Sequence, residues 1–230
     1  MGYAAGAALY GYLRRRDGDP VTEEERWGVI LAAALGALAG SRILAAIADL
    51  PAFAGAWRRP AYWIHGKTVV GGLLGGWIAV ELAKRRAGIR ARTGDLFAAP
   101  LAAGIAIGRI GCFLAGPADH TAGTPTSLPW GIAVGDGVRR HPVALYEVAF
   151  LLLLFPLLLR VGKTGAPGSA FRLFAGAYLA FRLGVDFLKP DPPPIAGGLS
   201  AIQWACVAGL TAVAWGELRG QVRAPAVAAP

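Results

Sequence analysis

Six apolar runs of 17 to 22 residues, at 27–48, 66–83, 96–114, 143–159, 171–188 and 196–215, decide what this chain can become. Each is long enough to carry a helix across a hydrocarbon core of ~30 Å at 1.5 Å per residue. The expected fold is therefore all-α, a polytopic transmembrane bundle of about seven helices forming a single integral membrane domain over residues 1–230. The remaining apolar element, Gly2 to Leu13, is too short to cross upright and reads as a truncated first helix. It has neither the charged n-region nor the cleavage site of a signal peptide. Composition agrees, since 55% apolar and 16% charged residues with 33 glycines in 230 fit neither a disordered chain nor an ordinary soluble domain.

The net charge of +9 is explained by where the charges fall. With the N-terminus outside, fourteen basic residues face the cytoplasm, among them Arg14, Arg15, Arg16, Lys84, Arg85, Arg86 and Arg160. Six face outward: Arg58, Arg59, Lys67, Arg139, Arg140 and Lys189. The positive-inside rule then orients the chain with its N-terminus out and its C-terminus in the cytoplasm. Nucleic acid is not an expected partner. The two cysteines, Cys112 and Cys206, fall within apolar runs and show no metal-ligand spacing, so neither a disulfide framework nor a metal site is expected.

Three arginines sit inside apolar runs: Arg42, Arg109 and Arg182. An arginine at the centre of a spanning helix costs from ~2.5 to ~10 kcal/mol or more, so it normally faces an anion, a carboxylate or a wet cavity. All three lie five or six residues from the outer end of their runs, roughly 8 to 9 Å deep. His65, Arg140, His141, Tyr146, Glu147, Tyr178 and Asp186 fall at the same level, and an anion-recognising cavity open to the outer leaflet is the simplest common cause. Each residue also has a plainer reading. Arg182 and Asp186 are spaced to neutralise each other on one helix, Arg42 could extend along its own stem to the surface, and His141 could cap the helix that starts after Pro142.

The short connections have one exception, the stretch Gly116 to His141, and a loop of that length in a compact bundle is usually functional. Glycines at 71, 72, 75 and 76 and at 104, 108 and 111 are spaced for close helix contact.

Gly108-Arg109-Ile110-Gly111-Cys112-Phe113, followed by Arg140-His141-Pro142-Val143-Ala144-Leu145-Tyr146-Glu147, resembles the signature of the bacterial prolipoprotein diacylglyceryl transferase family. His65-Gly66, Gly40-Ser41-Arg42 and the stretch Tyr178 to Lys189 are similar to further motifs of that family, in the same order. The chain departs from the pattern at Cys112, where the family has asparagine, at Lys67 for glycine, at Asp186 for glutamate and at Lys189 for arginine. The resemblance implies transfer of the diacylglyceryl group of phosphatidylglycerol to the thiol of a prolipoprotein signal-peptide cysteine, in the bacterial plasma membrane, without cofactor or metal.

That reaction makes two demands, thiolate formation and stabilisation of charge on the departing phosphate. Arginine meets the second because its planar fork pairs phosphate oxygens and stays charged. Arg109 and Arg182 are assigned to the phosphate with Arg140 as a third, and His65 or His141 to the thiol as base. Tyr146, Glu147, Tyr178 and Asp186, with Arg42 and Cys112, complete the substrate-binding set. The alternatives are a family member using another acceptor, or a small transporter or flippase for an anionic lipid or solute. Against transport, the polar residues stop in the outer third, and paired broken helices are not evident.

Overall fold

The computed structural model describes residues 1–59, 68–116, 122–133, 137–190 and 194–222, with side chains through residue 216 in the last of these. Its helices are α1 (Gly2–Asp17), α2 (Glu23–Ala48), α3 (Leu50–Ala56), α4 (Val69–Arg86), α5 (Asp95–Ala115), α6 (Val143–Thr164), α7 (Ser169–Val185) and α8 (Ala201–Val222). A 3-10 turn at Asp186–Leu188 ends α7. The fold is an all-α bundle, as expected, apart from one small hairpin of β1 (Ile132–Ala133) and β2 (Arg139–Arg140). Among the described residues, α2, α5 and α6 are long and apolar enough to cross a membrane. The expected runs at 66–83, 171–188 and 196–215 correspond to α4, to α7 with its turn, and to α8. The short α3 is a helix that periodicity did not reveal; Asp49 caps it by accepting from Ala52 N at 3.0 Å.

Local chemistry sets the helix boundaries. Thr22 and Glu25 form a reciprocal capping box at the start of α2. Thr68 accepts from Gly71 N at 3.2 Å to begin α4, whose last turn carries Lys84, Arg85 and Arg86 against the negative end of the helix dipole. The cap of α7 comes from another helix, because Asp95 of α5 accepts from the backbone N–H groups of Gly168 and Phe171.

Helices α2 and α4 form one tight hairpin. A Cβ on Gly40 would collide with the Gly71 carbonyl, and one on Gly75 with the Gly36 carbonyl, so their backbones are in direct contact. Gly104 similarly receives Gly2 of α1. Gly108 and Gly111 do not follow the expected pattern. A Cβ on either meets nothing within 4 Å among the described residues, so a side chain at these positions would enter open space, although Gly2 of α1 approaches the Gly108 backbone. The main core joins Phe174 and Tyr178 of α7 to Leu151 and Leu158 of α6 and to Ala98, Ala102 and Ala106 of α5. Leu31, Leu35, Leu38, Ile43 and Ile47 of α2 point away from the bundle, as an apolar surface facing lipid should.

At the end of the bundle opposite Arg109, the fully buried Arg26 donates to Asp19 and to the Thr93 carbonyl, and its guanidinium lies 5.5 Å over the Phe97 ring. Arg14 shares Asp19 at 2.6 Å. At the other end the long loop is built and not merely solvated. The segment at Thr124–Thr126 pairs with one side of β2 while β1 pairs with the other, and Thr124 N donates to Leu188 O at 2.8 Å. The loop is thereby tied to the turn at the end of α7.

Candidate active site

The site is organised around one carboxylate. Glu147, in the first turns of α6, is completely buried. Its Oε1 accepts from the Tyr178 hydroxyl at 2.7 Å, and its Oε2 accepts from Arg182 Nη1 at 3.3 Å. Arg109 Nε lies 2.9 Å from the same Oε2, with its N–H angled off the carboxylate. Three helices thus contribute one residue or more each to a single contact. An isolated buried charge of either sign would be far costlier than this set, in which the attraction offsets desolvation.

Arg182 also donates through Nη2 to Asp186 Oδ1 at 3.0 Å, the neutralisation that their spacing suggested. It does so while still holding Glu147, so the plainer reading and the cluster coexist. The second oxygen of Asp186 accepts from Ser200 Oγ at 2.9 Å. Ser200 and Gln203 cap each other at the start of α8, with Ser200 N on Gln203 Oε1 at 2.8 Å and Gln203 N on Ser200 Oγ at 3.1 Å. Sequence reading missed this support. Its signal was present as Ser-x-x-Gln before an apolar run, the pattern of a capping box.

The two cations outweigh what remains of the carboxylates' hydrogen-bonding capacity. Among the described residues, Arg109 Nε and Arg182 Nε are both buried without a hydrogen-bond acceptor, donors that an entering anion would satisfy. Arg109 Nη1 reaches Cys112 Sγ at 3.9 Å. Cys112 in turn lines a small cavity of about 40 Å³ together with Phe113, Arg140, His141 and Val143. This is the sequence-assigned group of Arg140, His141 and Cys112 brought to one wall.

His141 Nδ1 lies 3.1 Å from the Tyr146 hydroxyl, which also accepts from Trp130 Nε1 at 2.9 Å. With Trp130 donating to the phenol, the phenol's own hydrogen is left for Nδ1, which puts the imidazole proton on Nε2. Trp130, read from sequence only as an interfacial aromatic, is therefore part of how His141 is oriented. Arg42 stands on α2, whose principal neighbour is α4, and the hydrogen bonds of the Glu147 cluster do not include it. His65 and Lys67 lie outside the described residues, as does His120. Among the described residues no set of three or more His, Cys, Asp or Glu side chains is grouped to hold a metal ion.

The family model described as prolipoprotein diacylglyceryl transferase matches residues 1–218. The chain belongs to the prolipoprotein diacylglyceryl transferase family. Its curated relatives include proteins named phosphatidylglycerol--prolipoprotein diacylglyceryl transferase. The one from Bordetella parapertussis is 36% identical over 154 residues, 63% of this chain and 58% of the relative. That from Nitratidesulfovibrio vulgaris is 36% identical over 147 residues, 62% of this chain and 54% of the relative. That from Methylocella silvestris is 31% identical over 200 residues, 75% of this chain and 72% of the relative. The chain thus spans little more than half the length of the first two relatives. No solved structure matches. The Glu147 cluster lies where the motifs that carry the family resemblance meet in space, since the segments carrying Arg109, Tyr146-Glu147 and Tyr178-Arg182 are separate in sequence and converge on one carboxylate.

Proposed function

We propose that this protein transfers the diacylglyceryl group of phosphatidylglycerol to the thiol of a prolipoprotein signal-peptide cysteine and releases glycerol phosphate. The observation that carries the reading is the pair of guanidiniums on Glu147, each with a buried Nε–H that has no acceptor among the described residues. Such donors suit a phosphate, which accepts from arginine more readily than from any other side chain. In the reaction the sulfur attacks the glyceryl carbon, the carbon–oxygen bond breaks, and its electron pair leaves on a phosphate oxygen. Arg109 and Arg182 meet the charge that grows there, with Arg140 across the cavity as a third cation. Glu147 and Asp186 hold the two arginines in place. Tyr178 fixes Glu147, and Tyr146 fixes His141, whose Nε2–H is a further donor toward the phosphate. From the family resemblance, His65 is kept as a candidate base for the thiol and Arg42 as a further substrate-binding residue.

The enzyme is proposed to work from the outer leaflet of the bacterial plasma membrane, N-terminus out and C-terminus in the cytoplasm. The asymmetry of fourteen basic residues against six supports this. In a variant lacking Cys112 and Cys206, a membrane-impermeant thiol reagent should label Ala133→Cys in intact cells and Ala87→Cys only after permeabilisation. The reverse pattern would invert the site. The activity itself is tested by incubating purified protein with phosphatidylglycerol and a lipobox peptide. The peptide should gain the mass of one diacylglyceryl group on its cysteine; an unmodified peptide at saturating lipid counts against the assignment.

A further inference from the structure

The cavity of about 40 Å³ lies between the last turn of α5 and the first turn of α6. Its α5 wall is Cys112 and Phe113, three and four residues beyond Arg109, and its α6 wall is Val143 and Ala144, four and three residues before Glu147. At a rise of 1.5 Å per residue the cavity therefore stands about 4.5 to 6 Å, one helical turn, from the Arg109–Glu147 contact, on the side of the long loop. Cys112 links the two levels, because Arg109 Nη1 reaches its Sγ at 3.9 Å. Ile132 of β1 closes the cavity on the loop side, and Arg140 and His141 give it a polar edge. That cover is pinned, with Gly123 N on His141 O at 2.9 Å and His141 N on Thr124 O at 3.1 Å.

The dimensions decide what can enter. About 40 Å³ is little more than the space of one water molecule, whose share of the liquid is ~30 Å³. An acyl chain does not fit, nor does a phosphodiester with its two substituents. One CH2–SH group does. The lining suits that group as well: Phe113, Ile132, Val143 and Ala144 meet a methylene, while the cation of Arg140 and the ring of His141 favour a sulfur that carries negative charge. The separation from the arginines is that of a displacement at carbon. The sulfur and the leaving oxygen stand on opposite sides of one carbon, with the sulfur about 3 to 3.5 Å from it before reaction. A phosphate seated on the buried Nε–H groups of Arg109 and Arg182 has its glyceryl carbon within that reach of the cavity.

We propose, on the reading of activity given above, that this cavity is the subsite for the side chain of the acceptor cysteine, with Cys112 as the wall between its sulfur and Arg109. The phosphate then occupies the deeper level and the thiol the level nearer the loop, so lipid and peptide approach the reacting carbon from two sides. The same cavity is where the protein distinguishes a cysteine from a longer thiol, because it has no room for a further methylene. Cys112 is thereby a witness to the acceptor: a thiol of this chain within contact distance of the thiol it is to modify.

Two measurements test this. In the first, wild-type protein without added lipid is mixed with a lipobox peptide whose cysteine is activated as its 2-pyridyl disulfide. Cys112 sulfur attacks the peptide sulfur, the new disulfide forms, and the old one breaks with release of 2-thiopyridone. Mass mapping should place the peptide on Cys112, with the buried Cys206 unmodified. The adduct should form roughly tenfold or more faster than with a scrambled peptide carrying the same activated cysteine, since binding makes the exchange effectively unimolecular. No adduct on Cys112, or equal rates for the two peptides, overturns the subsite. In the second, transfer from phosphatidylglycerol is compared for lipobox peptides with cysteine and with homocysteine. Wild type should disfavour homocysteine by about tenfold or more in kcat/KM, the scale of one methylene in a fitted pocket. Ala144→Gly, which removes a methyl group from the wall, should narrow that ratio several fold. Equal use of both thiols by wild type, or an unchanged ratio in Ala144→Gly, overturns the proposal. Transfer to the cysteine peptide without a Cys112 adduct defeats the subsite alone and leaves the activity standing; absence of transfer by wild type defeats the activity and the subsite with it.

Discussion

Replacing Glu147 by glutamine removes one charge and almost no volume, and its cost can be worked from the cluster. Glu147 Oε2 lies 2.9 Å from Arg109 Nε and 3.3 Å from Arg182 Nη1. At an effective dielectric constant of 20 each contact has a gross attraction of about 5 kcal/mol, most of it offset by desolvation of the three ions. The net loss when one partner of a buried set is removed is about 3 to 5 kcal/mol, because Arg109 then stays buried without its counter-charge while Arg182 keeps only Asp186. For a chain of this size that corresponds to a fall in Tm of roughly 6 to 20 °C. The assay is thermal unfolding in detergent, followed by tryptophan fluorescence. A second variant isolates the cause, since Glu147→Gln combined with Arg109→Gln removes one of the unbalanced cations and should recover about half of the loss. Arg109→Gln alone should be milder, as Glu147 keeps Arg182 and Tyr178. Inorganic phosphate at high concentration should raise the Tm of Glu147→Gln more than that of wild type. A Tm for Glu147→Gln equal to wild type, or a double variant no more stable than the single, would refute the view that this carboxylate balances both arginines.

Arg109→Ala and Arg182→Ala should each reduce peptide modification by at least a hundredfold, in line with the ~2.7 to 4 kcal/mol lost when one donor to a developing oxyanion is removed, while the protein still inserts and purifies; near-normal turnover in either would exclude that arginine. Trp130→Phe should lower kcat/KM by a few fold without changing Tm, because it frees the Tyr146 hydroxyl to rotate away from His141, and the matching Tyr146→Phe should have no further effect when added to it; additive losses would disprove the shared orientation. Gly40→Leu should cost about 1 to 3 kcal/mol by forcing α2 from α4, and a variant with unchanged thermal stability would show that the two backbones are not in contact. Asp19 is half-buried, which raises its pKa, yet its hydrogen bonds from Arg26 and Arg14 hold it below the usual carboxylate range. Its contribution is therefore complete above pH ~4 and lost as the pH falls through its lowered folded value, so Asp19→Asn should be less stable than wild type at pH 7 and approach it in acid. An equal difference at both pH values would refute that linkage.

What the sequence determined by itself was everything that depends on local composition and repeat length. Apolar runs long enough to span a bilayer fixed the helices, because a chain in lipid must satisfy its backbone within each segment. Arg109 and Arg182 pointed to a polar site because a charge within such a run is costly unless it meets an anion, a carboxylate or water. The spacing of Arg182 and Asp186 gave their contact directly. Only the tertiary structure decided which of the depth-matched residues meet. Arg42 rides on α2, which packs on α4, while Arg109 rides on α5; the depth expected from the sequence is one coordinate, and the packing of helices supplies the other two. Glu147 emerged as the shared counter-charge because three helices cross at its first turn, and the Ser200–Gln203 support of Asp186 depends on where α8 begins. Gly108 and Gly111 show the same limit from the opposite side. Their spacing matches that of Gly71 and Gly75, but spacing gives a face and not its neighbour: a Cβ on Gly71 or Gly75 would strike α2, whereas among the described residues one on Gly108 or Gly111 meets nothing within 4 Å.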